Sequence, residues 1–467
     1  MPLPRKPAST LTLCAGLVAA ACACQPLSPR DPEDLAFATP PQWSEQPTAP
    51  EQSVSAWLDR FADAQLTALV ADGLAGNFDL QVAAARIDAA REQAVVAGAG
   101  RWPQAYFNPG YQRSRDLGVE SGRFAALFNL SWELDVWGRI KAGQQAAVLN
   151  AAAVADDYRA ARLSLAARIA QAYFALAEAR LQAHVAAQSV HDRGVIVDLV
   201  RGRFNRGLTR GLDLRLALTD LANAQAQLAQ AENDVQLLAR LLQTLLGRYP
   251  DGRIAQAPAN NPAGQTPHSL PEPPPGLAAG LPAELLQRRP DITAAFQRLQ
   301  AADSGLESAE KALLPRLTLT AAGGSASPAL AEIVDPRAAA WNLAAGLAQP
   351  LFTGDRLQAE IRLNQARVRE AYQQYQSVAL NAFREVEQAL AAETRLREQE
   401  QALREAVEQT EASRKLAVYS YQQGLIEILT LLDSYRSTLN AQSAHLAVRR
   451  QLLANRINLY LALGGPV

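Results

Sequence analysis

From Phe124 to Val136 the apolar residues fall on every second position. Phe124, Ala126, Phe128, Leu130, Trp132, Leu134 and Val136 take the even numbers, while Asn129, Ser131, Glu133 and Asp135 fill the odd ones between. A period of two predicts a strand with one apolar and one polar face. The pattern returns with Leu317 and Leu319 alternating with Thr318 and Thr320, and again with Trp341, Leu343, Ala345 and Leu347 alternating with Asn342, Ala344, Gly346 and Ala348. A fourth, less regular strand lies around Ala105 to Arg113, interrupted by Pro109. Four strands are therefore expected at about 104–113, 123–136, 314–322 and 340–352, with loops at Asp116–Gly122 and Gly323–Arg337. Lengths of about 10 to 13 residues suit strands that cross a membrane at a tilt. The edge of a soluble β-sandwich is the alternative; it is weakened by the Trp and Phe side chains crowded on one face.

Elsewhere the period changes. Residues 137–249 and 351–465 contain no proline and are rich in Ala, Leu, Gln, Arg and Glu, all strong helix formers. Tyr372, Tyr375, Ala379, Ala382, Val386 and Leu390 recur at steps of three and four, the stripe of an amphipathic helix. Glycines interrupt both runs, at Gly202 to Gly211 and at Gly424. Helices over about 139–201 and 356–421 would each be on the order of 95 to 100 Å long at roughly 1.5 Å per residue. Soluble coiled-coil scaffolds share this signature, so the helices alone do not decide the function.

Four strands cannot close a barrel in lipid, where every backbone polar group needs an internal partner. Two chains would give eight strands and an interior filled by side chains; three would give twelve and an open lumen. The strand count also reflects an internal duplication. Trp102-Pro103 matches Leu314-Pro315 at an offset of 212, Gly138 matches Gly354 at 216, and Gly207 matches Gly424 at 217, as Leu246-Gly247 matches Leu463-Gly464. Two repeats, 53–250 and 281–467, are expected, each running helix, strand, strand, long helix, return helix. Prolines cluster at 26–50 and 257–275, marking a tether over 22–52 and a linker over 251–280.

Composition narrows the chemistry. Forty-five basic residues balance 46 acidic ones, for a net charge of -1, so no global field exists to hold nucleic acid. The three cysteines all fall in the first 24 residues, which excludes a disulfide framework in the body. His184, His191, His268 and His445 show no metal-binding spacing, and neither a nucleophile elbow nor a phosphate loop occurs, so no enzyme, metal or cofactor is expected. Arg5 and Lys6 precede the apolar stretch Leu11 to Ala21, the layout of a secretory signal over 1–21 and too short to span a bilayer. Ala19-Ala20-Ala21-Cys22 resembles a bacterial lipobox, with Cys22 as the lipidated residue and Cys24 as the alternative; a plain signal peptide with incidental cysteines is the other reading.

Three strings carry a resemblance: Ser131-Trp132-Glu133-Leu134-Asp135-Val136-Trp137-Gly138-Arg139, the run Leu281 to Ile292, and Gln349-Pro350-Leu351-Phe352 followed by Gly354. Together with the closing Ala462-Leu463-Gly464-Gly465 they resemble signatures of the TolC-like outer-membrane efflux channels, specifically the lipoprotein (NodT-type) branch. Asp355 departs from the pattern, since the family often has a second Gly there. The resemblance implies a mainly α protein with membrane β: long helical hairpins plus four transmembrane strands per chain. Three chains would assemble as a homotrimer, a twelve-strand β-barrel on a twelve-helix α-barrel. It implies a bacterial outer-membrane location, with a lipid anchor and a large periplasmic helical portion. The function implied is a passive exit duct for small molecules. A periplasmic adaptor and an inner-membrane pump, commonly of the resistance-nodulation-division type, would be its partners. A duct for type I protein secretion is the alternative within transport; a periplasmic coiled-coil scaffold is the alternative outside it.

The resemblance also assigns sites. The tips around Gly207 and Gly424 would meet the adaptor, with Arg203, Phe204, Gly207, Leu208, Tyr421, Gly424 and Leu425 in matching positions. Leu429, Asp433 and Arg436, at i, i+4 and i+3 spacings, share a helix face; repeated in a trimer, this face would place an apolar ring beside an acidic one, as in a pore gate. Asp213, with Tyr421 or Arg449 as tethering partners, would complete that gate. The plainer alternative is an exposed helix ion pair.

Overall fold

The computed structural model describes residues 43–44, 57–117, 119–254, 269–274 and 282–465. The signal segment 1–21, both candidate lipidation sites Cys22 and Cys24, and most of the Pro-rich tether and linker lie outside the described residues. Within them run α1 (Ala64–Gly76), α2 (Phe78–Gly98), β1 (Gln104–Asp116), β2 (Val119–Leu134), α3 (Arg139–Asn205) and α4 (Gly211–Leu245). The second half runs α5 (Pro282–Arg288), α6 (Pro290–Lys311), β3 (Arg316–Ser327), β4 (Ala339–Ala348), α7 (Arg356–Gln422) and α8 (Ile428–Ala462). The long helices α3 and α7 each have 67 residues, and α4 and α8 each have 35. All four of their boundaries repeat at an offset of 217 residues. Contacts gather the chain into two compact units that cut across the repeats: one takes Arg91–Asn150 and Gln297–Gln373, the other Phe37–Ala90, Ala151–Phe296 and Gln374–Val467.

The first unit holds one antiparallel sheet in the order β1-β2-β3-β4. Its register puts Phe124 opposite Tyr111, Phe128 opposite Phe107, Trp132 opposite Leu319, and Leu317 opposite Leu347. The period-two pattern of each strand thus falls on one shared face, carrying Phe, Trp, Tyr and Leu. Gln104, Asn129, Ser131, Thr318, Thr320 and Asn342 lie on the other. The large residues of the apolar face stay exposed within the chain, Trp341 at 82% and Leu343 at 73%. Pro109 pairs with Ala126 from β1, an edge strand of this sheet, where a missing N–H is tolerated.

Several strand limits differ from the periodicity. β1 runs on to Asp116 and β2 already begins at Val119, both inside the span expected as loop, and β3 runs on to Ser327 through Gly323-Gly324. Ladder hydrogen bonds need only backbone, so small residues extend a strand that side-chain alternation cannot reveal. β4 stops at Ala348, two residues before Pro350, which has no N–H to donate.

The string 131–139 acquires a physical account. The indole N–H of Trp132 donates to the Arg101 carbonyl (2.9 Å) and that of Trp137 to the Pro315 carbonyl (2.7 Å). Glu133 pairs with Arg139 (2.8 Å), and the Asp135 carboxylate accepts from the N–H groups of Ile140 and Lys141, placing an anion on the N-terminus of α3. Gly138 takes φ +75°, and its counterpart at the constant offset of 217 is Asp355 at φ +62°, rather than Gly354. The residue that departs from the family pattern therefore occupies a left-handed position, which Asp tolerates better than most side chains.

In the second unit the helices bury the Ala-rich stripe. Tyr375, Ala379, Ala382 and Val386 are fully enclosed, as are Ala166, Ile169 and Ala170 of α3. Trp57 stacks on Tyr460 with ring centroids 5.7 Å apart, and Phe61 meets Phe174 at 5.4 Å. Four helices end in the same reversal, with a glycine in the left-handed region at Gly207, Gly247, Gly424 and Gly464. In each, the residue after the glycine donates back to the carbonyl five before it, and the glycine to the one three before it.

The surroundings of these glycines differ, which yields a prediction. A Cβ at Gly207 would meet nothing within 4 Å, whereas one at Gly247 would lie 2.2 Å from the Gly76 carbonyl oxygen. Gly207→Ala is expected to cost about 1 kcal/mol of left-handed strain. Gly247→Ala adds a backbone clash and is expected to cost about 3 kcal/mol. Thermal melts of the purified variants check the order; equal melting temperatures would count against it.

Candidate functional site

Among the described residues no helix is long and apolar enough to cross a membrane, and no cluster of His, Cys, Asp and Glu is arranged to hold a metal. Two surfaces remain as candidates, each within one unit. The first is the sheet, with one apolar face and two edges, β1 and β4, that have a neighbour on one side only.

The second is where α3 turns into α4 and α7 into α8. The reversals rest on one apolar cluster of Ile196, Val197, Val200, Ala217, Ala417, Tyr421, Ile428, Leu431 and Leu432. Arg203 crosses between the hairpins: its guanidinium donates to the Tyr421 carbonyl (3.1 Å) and lies 5.2 Å from the centre of the Tyr421 ring. Asp213 sits in the first turn of α4 and accepts from the Thr209 hydroxyl (2.5 Å) and the Arg210 N–H (3.2 Å). It therefore holds the turn in shape. Burial pushes the Tyr421 phenol above its ordinary pKa, with the negative charge of Asp213 adding to the shift against Arg203. Arg203, Asp213 and Tyr421 are thus one cluster. Beyond it the apolar side chains Leu208, Leu212, Leu425 and Leu429 are left more than half exposed, and Phe204 partly so.

Two of the sequence-derived positions behave differently. Leu429 and Asp433 are both exposed on one face of α8, and Asp433 has no hydrogen-bond or ion-pair partner among the described residues. Arg436, expected beside Asp433, turns its guanidinium to Asp220 instead (Nε 2.9 Å, Nη2 2.8 Å), because a buried carboxylate on α4 attracts it more strongly than an exposed one. Arg449 lies 16 residues along α8 from Asp433, about 24 Å at 1.5 Å per residue. It donates to the Leu270 carbonyl, so it cannot reach Tyr421 or Asp433 as a tether within this chain.

The sequence reading missed the ionic cluster that Arg436 joins. Asp220 is buried between Arg436 and the equally buried Arg193 of α3 (2.6 Å), whose guanidinium also contacts the Ser189 hydroxyl. Nearby, Arg414 of α7 pairs with Asp192 (2.6 Å) and lies over the Tyr435 ring, 5.2 Å from its centre. Burial raises the pKa of the Tyr435 phenol, and the Asp192 charge raises it further against Arg414 and Arg193. All four helices are represented. A signal did exist: Asp220 falls between Ala217 and Ala224 on the buried stripe of α4, and Arg193 precedes Ile196, Val197 and Val200 on that of α3. A charge on an apolar stripe is rare unless it is paired.

Comparison with known proteins identifies the family. A family model described as outer membrane efflux protein matches residues 69–248 and 281–465, one span in each half. The chain is 31% identical over 453 residues to the pyoverdine export outer membrane protein OpmQ of Pseudomonas putida, covering 93% of each chain. It is 29% identical over 474 residues to the cation efflux system protein CusC of Escherichia coli, covering 98% of this chain and 99% of that one. A membrane protein crystal structure from Pseudomonas aeruginosa superposes with a TM-score of 0.82 at 30% identity, covering 92% of this chain and 99% of that one. The chain, mainly helical with a four-stranded membrane sheet, belongs to the outer membrane efflux protein family and is an outer-membrane channel of efflux.

Proposed function

We propose that three copies of this chain close one twelve-strand barrel in the outer membrane. The assembly serves as a passive exit duct for small molecules, driven by an inner-membrane pump of the resistance-nodulation-division type through a periplasmic adaptor. The observation that carries the reading is the sheet with an apolar face and two open edges. In lipid each unpaired backbone group costs several kcal/mol, so β1 of one copy must pair with β4 of the next. Two copies would fill an eight-strand barrel with side chains; three leave a lumen. OpmQ is named for pyoverdine export and CusC for cation efflux, so one fold serves different cargoes. Selection is accordingly assigned to the pump. Cys22, or Cys24 in its place, would anchor the mature chain to the membrane.

The exposed Leu208 and Leu425, each directly after its reversal glycine, are proposed as the adaptor contacts, with Arg203, Phe204, Gly207 and Gly424 setting their position. Leu429 and Asp433 are proposed as the gate. Repeated by threefold symmetry, the exposed face of α8 would present an apolar constriction beside a ring of three carboxylates. Such a ring favours cations and restricts flow. Arg436 and Asp213 support this gate indirectly, by fixing α8 to α4 and by shaping the turn.

Two outcomes are expected. In planar bilayers, Leu429→Ala with Asp433→Ala should raise single-channel conductance, and Asp433→Asn alone should lower the preference for cations. Unchanged conductance and selectivity would remove these residues from the gate. Leu208→Asp with Leu425→Asp should weaken adaptor capture at least tenfold, since each buried leucine contributes on the order of 2 kcal/mol. Resistance to the pump's substrates should fall while trimers still reach the outer membrane; full resistance would place the adaptor contact elsewhere.

A further inference from the structure

The apolar face of the sheet ends in two arginines. On the strand positions that share this face, β1 reads Ala105, Phe107, Pro109 and Tyr111, then Arg113 and Arg115; β2 reads Leu134 back to Phe124, then Gly122 and Glu120. From Leu134 to Phe124 the band spans ten residue steps, about 33 Å along the strand at 3.3 Å per residue, or roughly 25 Å of height at a 40° tilt. That is the height of the lipid-facing band of an outer-membrane barrel. Tyr111 packs against Phe124 at a tilt, with ring centroids 4.4 Å apart, closing the band with a phenol. Its hydroxyl lies 2.7 Å from where a Cβ at Gly122 would stand, so it points past the band toward the arginines.

Beyond this boundary the two guanidiniums share a single carboxylate. Glu120 pairs closely with Arg113 (2.5 Å) and loosely with Arg115 (3.9 Å), and the arginine side chains remain 67% and 70% exposed. Together Arg113, Arg115 and Glu120 carry one net positive charge in each copy. Arg123, in the same hairpin, falls on the opposite face. We propose that Arg113 and Arg115, with the Tyr111 hydroxyl, hold a phosphate group of the outer-leaflet glycolipid, lipid A. The chemistry fits in three respects. Guanidinium forks match phosphate oxygens bidentately. The rim sits at the depth where hydrocarbon gives way to headgroups. A phosphate would balance the charge that Glu120 leaves over. The inference rests on the membrane reading of the sheet.

The test uses the full-length trimer purified in detergent and stripped of lipid. Native mass spectrometry would count bound lipid against three probes: lipid A with its phosphates, the same lipid after enzymatic dephosphorylation, and inorganic phosphate as competitor. The wild type should prefer the phosphorylated lipid by at least about tenfold. Arg113→Gln with Arg115→Gln should lose that preference, Arg123→Gln should keep it, and Arg113→Lys with Arg115→Lys should retain part of it. Equal binding of the two lipids by wild type, or full preference in the double glutamine variant, would overturn the proposal. Equal competition by inorganic phosphate would also overturn it, by reassigning the site to a free anion. Outer-membrane fractionation of the same variants keeps the two failures apart. A chain absent from the outer membrane defeats the membrane reading, whereas a trimer correctly inserted but indifferent to phosphate defeats only this inference.

Discussion

A strand in lipid must find a partner for every backbone N–H and C=O, and four strands in a row leave two edges unsatisfied. The rest of the molecule answers to that constraint. The apolar face assembled by register from all four strands is stable only against hydrocarbon, yet it exposes Trp341 and Leu343 in the single chain. Duplication supplies two hairpins from one plan. Closure by further copies thus follows from hydrogen bonding; no special interface chemistry is required.

The helical unit meets a different requirement, since its reversals must hold four helix ends in place. Glycine relieves the left-handed turn, and the paired back-bonds from Leu208 and Leu425 consume carbonyls that would otherwise be orphaned. Asp220 then ties three helices through Arg193 and Arg436. A buried ion pair of this kind adds little net stability, because desolvation offsets the attraction. Breaking it is costly, however, since one charge would be left alone. Such a cluster defines one arrangement of the helices more firmly than apolar packing by itself.

Much of this was legible in the residues. Strong alternation marked the strands, and the absence of proline with glycine punctuation placed the long helices within a few residues of their observed ends, 139–205 and 356–422. Where backbone alone does the pairing, as through Gly323 and Gly324, the pattern was silent and β3 ran longer than expected. The candidate gate was legible only in part. Spacing put Leu429 and Asp433 on one face, but spacing along one helix could not show that Arg436 is drawn to a carboxylate more than two hundred residues away on α4.

The sequence by itself determined which side of each strand is apolar, where the helices run and turn, and that the body contains no cysteine for a disulfide. These are local properties, set by side-chain periodicity and by the few residues that forbid or require a given φ. The tertiary structure decided what depends on proximity between distant segments. It aligned four separate apolar patterns into one face, turned Arg436 from Asp433 to Asp220, kept Arg449 out of the tip cluster, and set Arg113 and Arg115 beside Glu120 at the rim of that face. Burial and charge pairing act across space, and their partners are chosen only once the chain has folded.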